Sequence, residues 1–91
     1  MARTDRALRS KQQALEAFGA AVRKRRQRED LSLEGLAELA ELHWTYVGGI
    51  ERGERNISLV SMLRLARGLR AHPADLLRDA YPGQAPRIPR T

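Results

Sequence analysis

Apolar residues recur along this chain at helical spacing. Leu15, Phe18 and Val22 fall at i, i+3 and i+7, one face of an α-helix, and predict a first helix over about Leu15–Glu29. Ser32 is a good N-cap for a second helix that buries Leu36, Ala37 and Ala40, with Glu34 in its first turn. After a short connection, Glu41-Leu42-His43, a third helix is expected over about Trp44–Arg52. It turns Val47 and Ile50 inward and stops at Gly53. Residues 53–57 read as a loop. Ser58 then caps a fourth helix reaching about Ala71, with a broad stripe of Leu59, Met62, Leu63, Ala66 and Leu69. Pro73 suits the first position of a short fifth helix carrying Leu76 and Leu77. β-branched residues are few and no stretch alternates with period two, so the expectation is all-α.

Three segments follow. Residues 1–13 are polar and basic around Leu8 and form either an arm or an extension of the first helix. Residues 14–80 form the folded domain. Residues 81–91, with three prolines and no periodicity, are expected to be a disordered basic tail. The 91 residues suit one domain. With no cysteine there is no disulfide framework, thiolate metal site or Cys nucleophile. No apolar run approaches the roughly 20 residues that span a bilayer, and the N-terminus lacks the apolar core of a secretory signal. A cytoplasmic protein is expected.

The net charge of +6 favours a polyanionic partner, nucleic acid first. Its distribution says more. Residues 1–30 hold nine bases and four acids, residues 31–51 four Glu with no Lys or Arg, and residues 52–91 eight bases and three acids. Two basic flanks surround an acidic, apolar centre, which is not the layout of an indiscriminate polybasic strip.

That centre, residues 33–52, reads as a helix-turn-helix: two short helices, a tight turn, and small Ala37 where the helices would cross. Leu31-Ser32-Leu33-Glu34-Gly35-Leu36-Ala37, then Thr45-Tyr46-Val47-Gly48-Gly49-Ile50-Glu51-Arg52-Gly53-Glu54-Arg55-Asn56, then Ser58-Leu59 and Leu63 to Ala66 resemble the Xre/Cro-type helix-turn-helix regulators over about residues 15–77. The Thr45–Gly53 run is similar to that of restriction–modification controller proteins. The resemblance implies a five-helix, lambda-repressor-like domain that binds double-stranded DNA as a homodimer and regulates transcription. It implies an ion pair between Arg26 and Glu51, with Arg26 also near a phosphate. It places Ser32 and the Leu33 amide at the DNA backbone, where a helix N-terminus favours anions. It puts Trp44 and Thr45 at the start of the recognition helix, and Tyr46, Arg52, Arg55 and Asn56 at phosphates or base edges.

The helical geometry agrees on the exposed face. With Val47 and Ile50 buried, Thr45, Gly48, Gly49 and Arg52 share the opposite stripe, where the two glycines would let the backbone approach the groove floor. Candidate base readers are thus Trp44, Thr45, Gly48, Gly49, Arg55 and Asn56. Candidate phosphate contacts are Arg26, Ser32, Leu33, Tyr46, Arg52 and Arg55. Trp44 admits two roles, facing DNA or packing in the core. Leu33 stands where the family often has Gln, and Glu41 where it usually has Gly, so a positive φ at Glu41 would be strained.

The dimer surface is expected at the apolar end of the fourth and fifth helices, including Leu76 and Leu77. Glu34, Glu38 and Glu41 offer an acidic surface to RNA polymerase. No metal or cofactor is expected: His43 and His72 lie in or beside turns, and no carboxylate pair or activated nucleophile points to an enzyme. The alternatives are the antitoxin of a toxin–antitoxin pair and a helical protein-binding adaptor.

Overall fold

The computed structural model describes the backbone of residues 2–81 and the side chains of residues 11–81. Five helices follow one another: α1 (Ala2–Arg28), α2 (Leu33–Ala40), α3 (Trp44–Glu51), α4 (Leu59–Gly68) and α5 (Pro73–Ala80). No strand occurs among the described residues. The expected tail lies outside them apart from Tyr81, which caps α5 and is half-buried. The side chains of Arg3, Arg6 and Arg9 lie outside them too. α1 begins well before the predicted Leu15. Residues 2–14 contain no Gly or Pro and are rich in Ala, Leu, Arg, Lys and Gln, which propagate a helix readily.

α1 packs on α3 and α5, while α2 packs on α3 and α4. Between them lies one core of Phe18, Val22, Leu36, Ala37, Ala40, Val47, Ile50, Leu65, Ala66, Leu69 and Leu76. α4 departs from its predicted stripe. Leu65 is buried, whereas Leu59 is 67% and Leu63 46% exposed. This helix is apolar on two faces, so periodicity alone gives two candidate stripes, and packing against α2 selects Ser61, Leu65, Ala66 and Leu69. Buried Ser61 is satisfied by Ser58, which donates to its Oγ at 2.9 Å and accepts its N–H at 3.1 Å. α4 also stops short of Ala71, because Arg70 turns left-handed (φ 55).

The same chain reversal ends four helices. Asp30, Glu41, Gly53 and Arg70 have φ of 59, 56, 75 and 55. Each is flanked by the paired bonds of a Schellman cap, such as Gly53 N–H to the Ile50 carbonyl (3.0 Å) and Glu54 N–H to the Gly49 carbonyl (2.8 Å). Only Gly53 adopts this conformation without steric penalty; each of the other three costs about 1–2 kcal/mol. The expected strain at Glu41 is therefore present. Arg67 grips its carboxylate at 2.8 Å, which holds the turn against α4.

Two glycines set the helix crossings. A Cβ on Gly19 would lie 2.2 Å from the Ile50 carbonyl oxygen and 2.6 Å from that of Glu51, so α1 and α3 touch backbone to backbone. A Cβ on Gly68 would lie 3.0 Å from Leu36 and 3.3 Å from the Ala40 nitrogen, between α4 and α2. Gly19→Ala forces α3 off its seat. It is expected to lower stability by about 2–3 kcal/mol, a fall in thermal midpoint on the order of 15 °C for a domain of this size. Circular dichroism melting checks this.

Candidate nucleic-acid interface

α3 projects from this frame on a fixed axis. Arg26, near the end of α1, reaches Glu51 with two parallel bonds, Nε at 2.7 Å and Nη2 at 3.0 Å. Its Nη1 donates to the Leu31 carbonyl at 2.9 Å. The two side chains are 15% and 7% exposed. One guanidinium thus holds the end of α3 and the entry to α2 together. The bond to Glu51, ahead of the opposing effect of burial, raises the already high pKa of Arg26, so it is a cation at any pH the fold survives. The expected ion pair is present. The same bonds occupy all three guanidinium nitrogens, which makes Arg26 a structural residue before a phosphate ligand.

The helix starts are capped locally. Ser32 Oγ accepts the Gly35 N–H at 2.9 Å at the mouth of α2, leaving the first amides of that helix, Leu33 and Glu34, without helical acceptors. His43 caps α3: its Nδ1 accepts the Thr45 N–H at 3.2 Å and lies 2.7 Å from the Thr45 hydroxyl. His72 caps α5 likewise, accepting the Ala74 N–H at 3.0 Å. Sequence reasoning missed both histidine caps, since Ser, Thr, Asp and Asn are the usual signals.

Trp44, 51% exposed and stacked on His43 at 6.1 Å between centroids, lies outside the core. Thr45, Arg52, Arg55 and Asn56 are exposed with it, as is Ser32. Tyr46 and Leu33 are half-buried and packed against the core. Leu33 of α2 and Arg52 both approach Gly48, and Arg55 lies over Gly49, so the start of α2 and the loop after α3 come against α3.

Two expectations fail. Gly48 and Gly49 are buried, not open. Arg52 covers Gly48, with its Nη1 3.2 Å from where a Cβ would be, and Arg55 covers Gly49, with its Cγ at 2.8 Å from the corresponding point. The glycines make room for arginine side chains and offer DNA no bare backbone. Leu76 is fully buried in the protomer core, so it is removed from the dimer surface. Leu77 remains, 47% exposed.

The basic cluster at the end of α1 divides by role. Arg25 pairs with Asp79 of α5, and that hydrogen bond holds the Asp79 carboxyl below its ordinary pKa. The pair's contribution is complete above the usual Asp range and fades as pH falls through the depressed value. Arg23, Lys24 and Arg28 are exposed. Arg52 is held 3.1 Å from Glu54.

A family model described as "Helix-turn-helix domain" matches residues 17–80. Control protein C.BamHI of Bacillus amyloliquefaciens is 43% identical over 61 residues, 66% of this chain and 75% of its own. This chain belongs to the helix-turn-helix family that includes the restriction–modification controller proteins. Control protein C.SmaI of Serratia marcescens is 45% identical over 56 residues, 62% of this chain and 67% of that protein. Among solved structures, the restriction–modification controller protein C.AhdI from Aeromonas hydrophila is similar at TM-score 0.67 and 48% identity, covering 68% of this chain and 94% of that one. The clp gene regulator ClgR from Corynebacterium glutamicum reaches TM-score 0.72 at 32% identity, covering 79% and 94%.

Removing Arg26 tests the frame of this surface. Arg26→Ala leaves the Glu51 carboxylate unpaired at 7% exposure and is expected to cost about 3 kcal/mol. Arg26→Lys keeps the charge but loses the two-pronged geometry, so it should fall between wild type and Ala in denaturant titration.

Proposed function

We propose that this helix-turn-helix protein is a sequence-specific transcriptional regulator of the controller type, acting as a homodimer on a pseudo-palindromic operator. The exposure of Trp44, Thr45, Arg52, Arg55 and Asn56 on α3 and the loop after it, with Ser32 exposed at the start of α2 and Leu33 against Gly48, carries the reading. Each copy seats α3 in a major groove. Phosphates meet the α2 N-terminus at Ser32 and Leu33, the Tyr46 hydroxyl, Arg52 and Arg55. Arg26 acts mainly by fixing the axis of α3. Base edges meet Trp44, Thr45, Arg55 and Asn56. The Trp44 face suits a thymine methyl group. The names of the relatives favour this reading over the antitoxin and adaptor alternatives.

The dimer surface follows from the outward stripe of α4. Leu59, Val60 and Leu63 are exposed together on one helix, and Leu77 of α5 is exposed as well. An apolar stripe that the protomer core does not cover is what a second copy would bury. Glu34 and Glu38 are exposed on α2 and would be the residues to meet RNA polymerase; Glu41 is already engaged by Arg67. The proposed setting is the cytoplasm, with no cofactor and no catalytic role.

Two measurements check this. With Arg52 and Arg55 of each protomer neutralising phosphates, about four per dimer, log K for operator binding plotted against log salt should slope at about −4, and a flat plot would refute phosphate-driven binding. Leu63→Glu places a charge on the outward stripe without touching the core. It should leave the helical signal intact while shifting sedimentation from dimer to monomer; an unchanged dimer would move the interface elsewhere.

A further inference from the structure

We propose that Gly49 determines base preference through Arg55, by providing the seat on which that arginine lies. The inference rests on the DNA-binding reading above. It concerns a residue whose own atoms are covered and make no contact with DNA.

The seat is built by the end of α3. Gly53 turns left-handed at φ 75, and the Glu54 N–H closes back onto the Gly49 carbonyl at 2.8 Å. The chain reverses within one residue, and Arg55 returns alongside the helix it has just left. Its stem then lies over Gly49. A Cβ there would be 2.8 Å from Arg55 Cγ, 3.3 Å from Nε and 3.6 Å from Cδ. Real Cβ contacts are essentially never that short, and the atom in the way is at the root of the side chain. Clearing Cγ requires rotation about χ1, which carries the whole guanidinium to another place. A base is read by the fixed fork of an Arg only when that fork is aimed at its edge. Among the described residues, Arg55 forms no ion pair that would hold it otherwise, whereas Arg52 is tied to Glu54. Its stem occupies the space that a side chain at position 49 would take.

Gly48 provides an internal comparison. There the nearest atoms are Arg52 Nη1 at 3.2 Å and Leu33 Cδ2 at 3.3 Å, both ends of flexible side chains. Either moves by a few tenths of an ångström without changing the course of the stem. Two neighbouring glycines on one helix thus have unequal consequences, which helix propensity alone would not produce.

The test is binding-site selection from a random duplex pool with the full chain, using wild type, Gly48→Ala, Gly49→Ala, Arg55→Ala and the double variant Gly49→Ala/Arg55→Ala. Gly49→Ala and Arg55→Ala should lose preference at the same base step. Each should bind the wild-type-selected duplex more weakly, on the order of tenfold. The double variant should bind no more weakly than Arg55→Ala, because both changes remove one interaction. Gly48→Ala should select the wild-type motif. Without DNA, the double variant should melt at least as high as Arg55→Ala, since the Arg55 atoms nearest the added methyl group are gone and Ala improves helix propensity. The proposal is overturned if Gly49→Ala selects the wild-type motif at unchanged affinity, or if the losses of the two single variants multiply in the double. A wild-type protein that enriches no motif would remove the DNA-binding reading and this inference with it.

Discussion

The position of α3 depends on one partly buried ion pair. Arg26 and Glu51 meet through two parallel bonds, with a third from the same guanidinium to the Leu31 carbonyl. Such a pair contributes little net stability, because desolvating both charges offsets most of their attraction. Its effect is geometric. Two fixed bonds between planar groups define the orientation of the end of α3, where a salt bridge to a flexible ammonium would leave it loose. Gly19 acts on the same contact from the steric side, letting the Ile50 carbonyl come against α1. With one end of a two-turn helix pinned by charge and its back pinned by backbone contact, the direction in which α3 presents its outer face is set by the core.

The second constraint is the sharpness of the turns. Four helices end in a left-handed residue, three of them without glycine. Tight reversals allow five helices to close around a small core with short connections. They also bring loop side chains back onto the helices that precede them. The Glu41 turn is thereby tied to α4 through Arg67, and the Gly53 turn lays Arg55 over α3. The left-handed residues Asp30, Glu41 and Arg70 are the local strain that accompanies these short connections. The acidic centre and basic flanks of the chain make sense in this arrangement. Arg52 and Arg55 come against α3 from beyond its C-terminal end, while residues 31–51 hold no Lys or Arg.

Much of this was legible in the sequence. The spacing of Leu36, Ala37, Ala40, Val47 and Ile50 marked the helix-turn-helix and its buried side, and Ser32 and Ser58 marked two helix starts. Glu41 was readable as a strained turn because Gly is usual there. The rest depended on relations that one-dimensional periodicity does not carry. α4 has two apolar stripes, and only packing on α2 shows that Leu65 goes in while Leu59 and Leu63 go out. Leu76 and Leu77 are neighbours in sequence and opposite in burial. The stripe rule placed Gly48 and Gly49 on the open face of α3. That was correct for the helix alone, but the arginines that cover them come from beyond it. Gly19 and Gly68 look like poor helix residues until the backbone of a second helix is placed against them. The histidine caps at His43 and His72 use a ring nitrogen that capping preferences rarely signal.

The most direct measurement of this account is the symmetry of the sequence that the purified wild-type protein selects from random duplex DNA. Two protomers, each with α3 held rigidly in a major groove, should enrich an inverted repeat. Its half-site centres should lie one helical turn apart, about 10–10.5 base pairs or 34 Å. A single asymmetric half-site, half-sites at variable spacing, or no enrichment at all would contradict it.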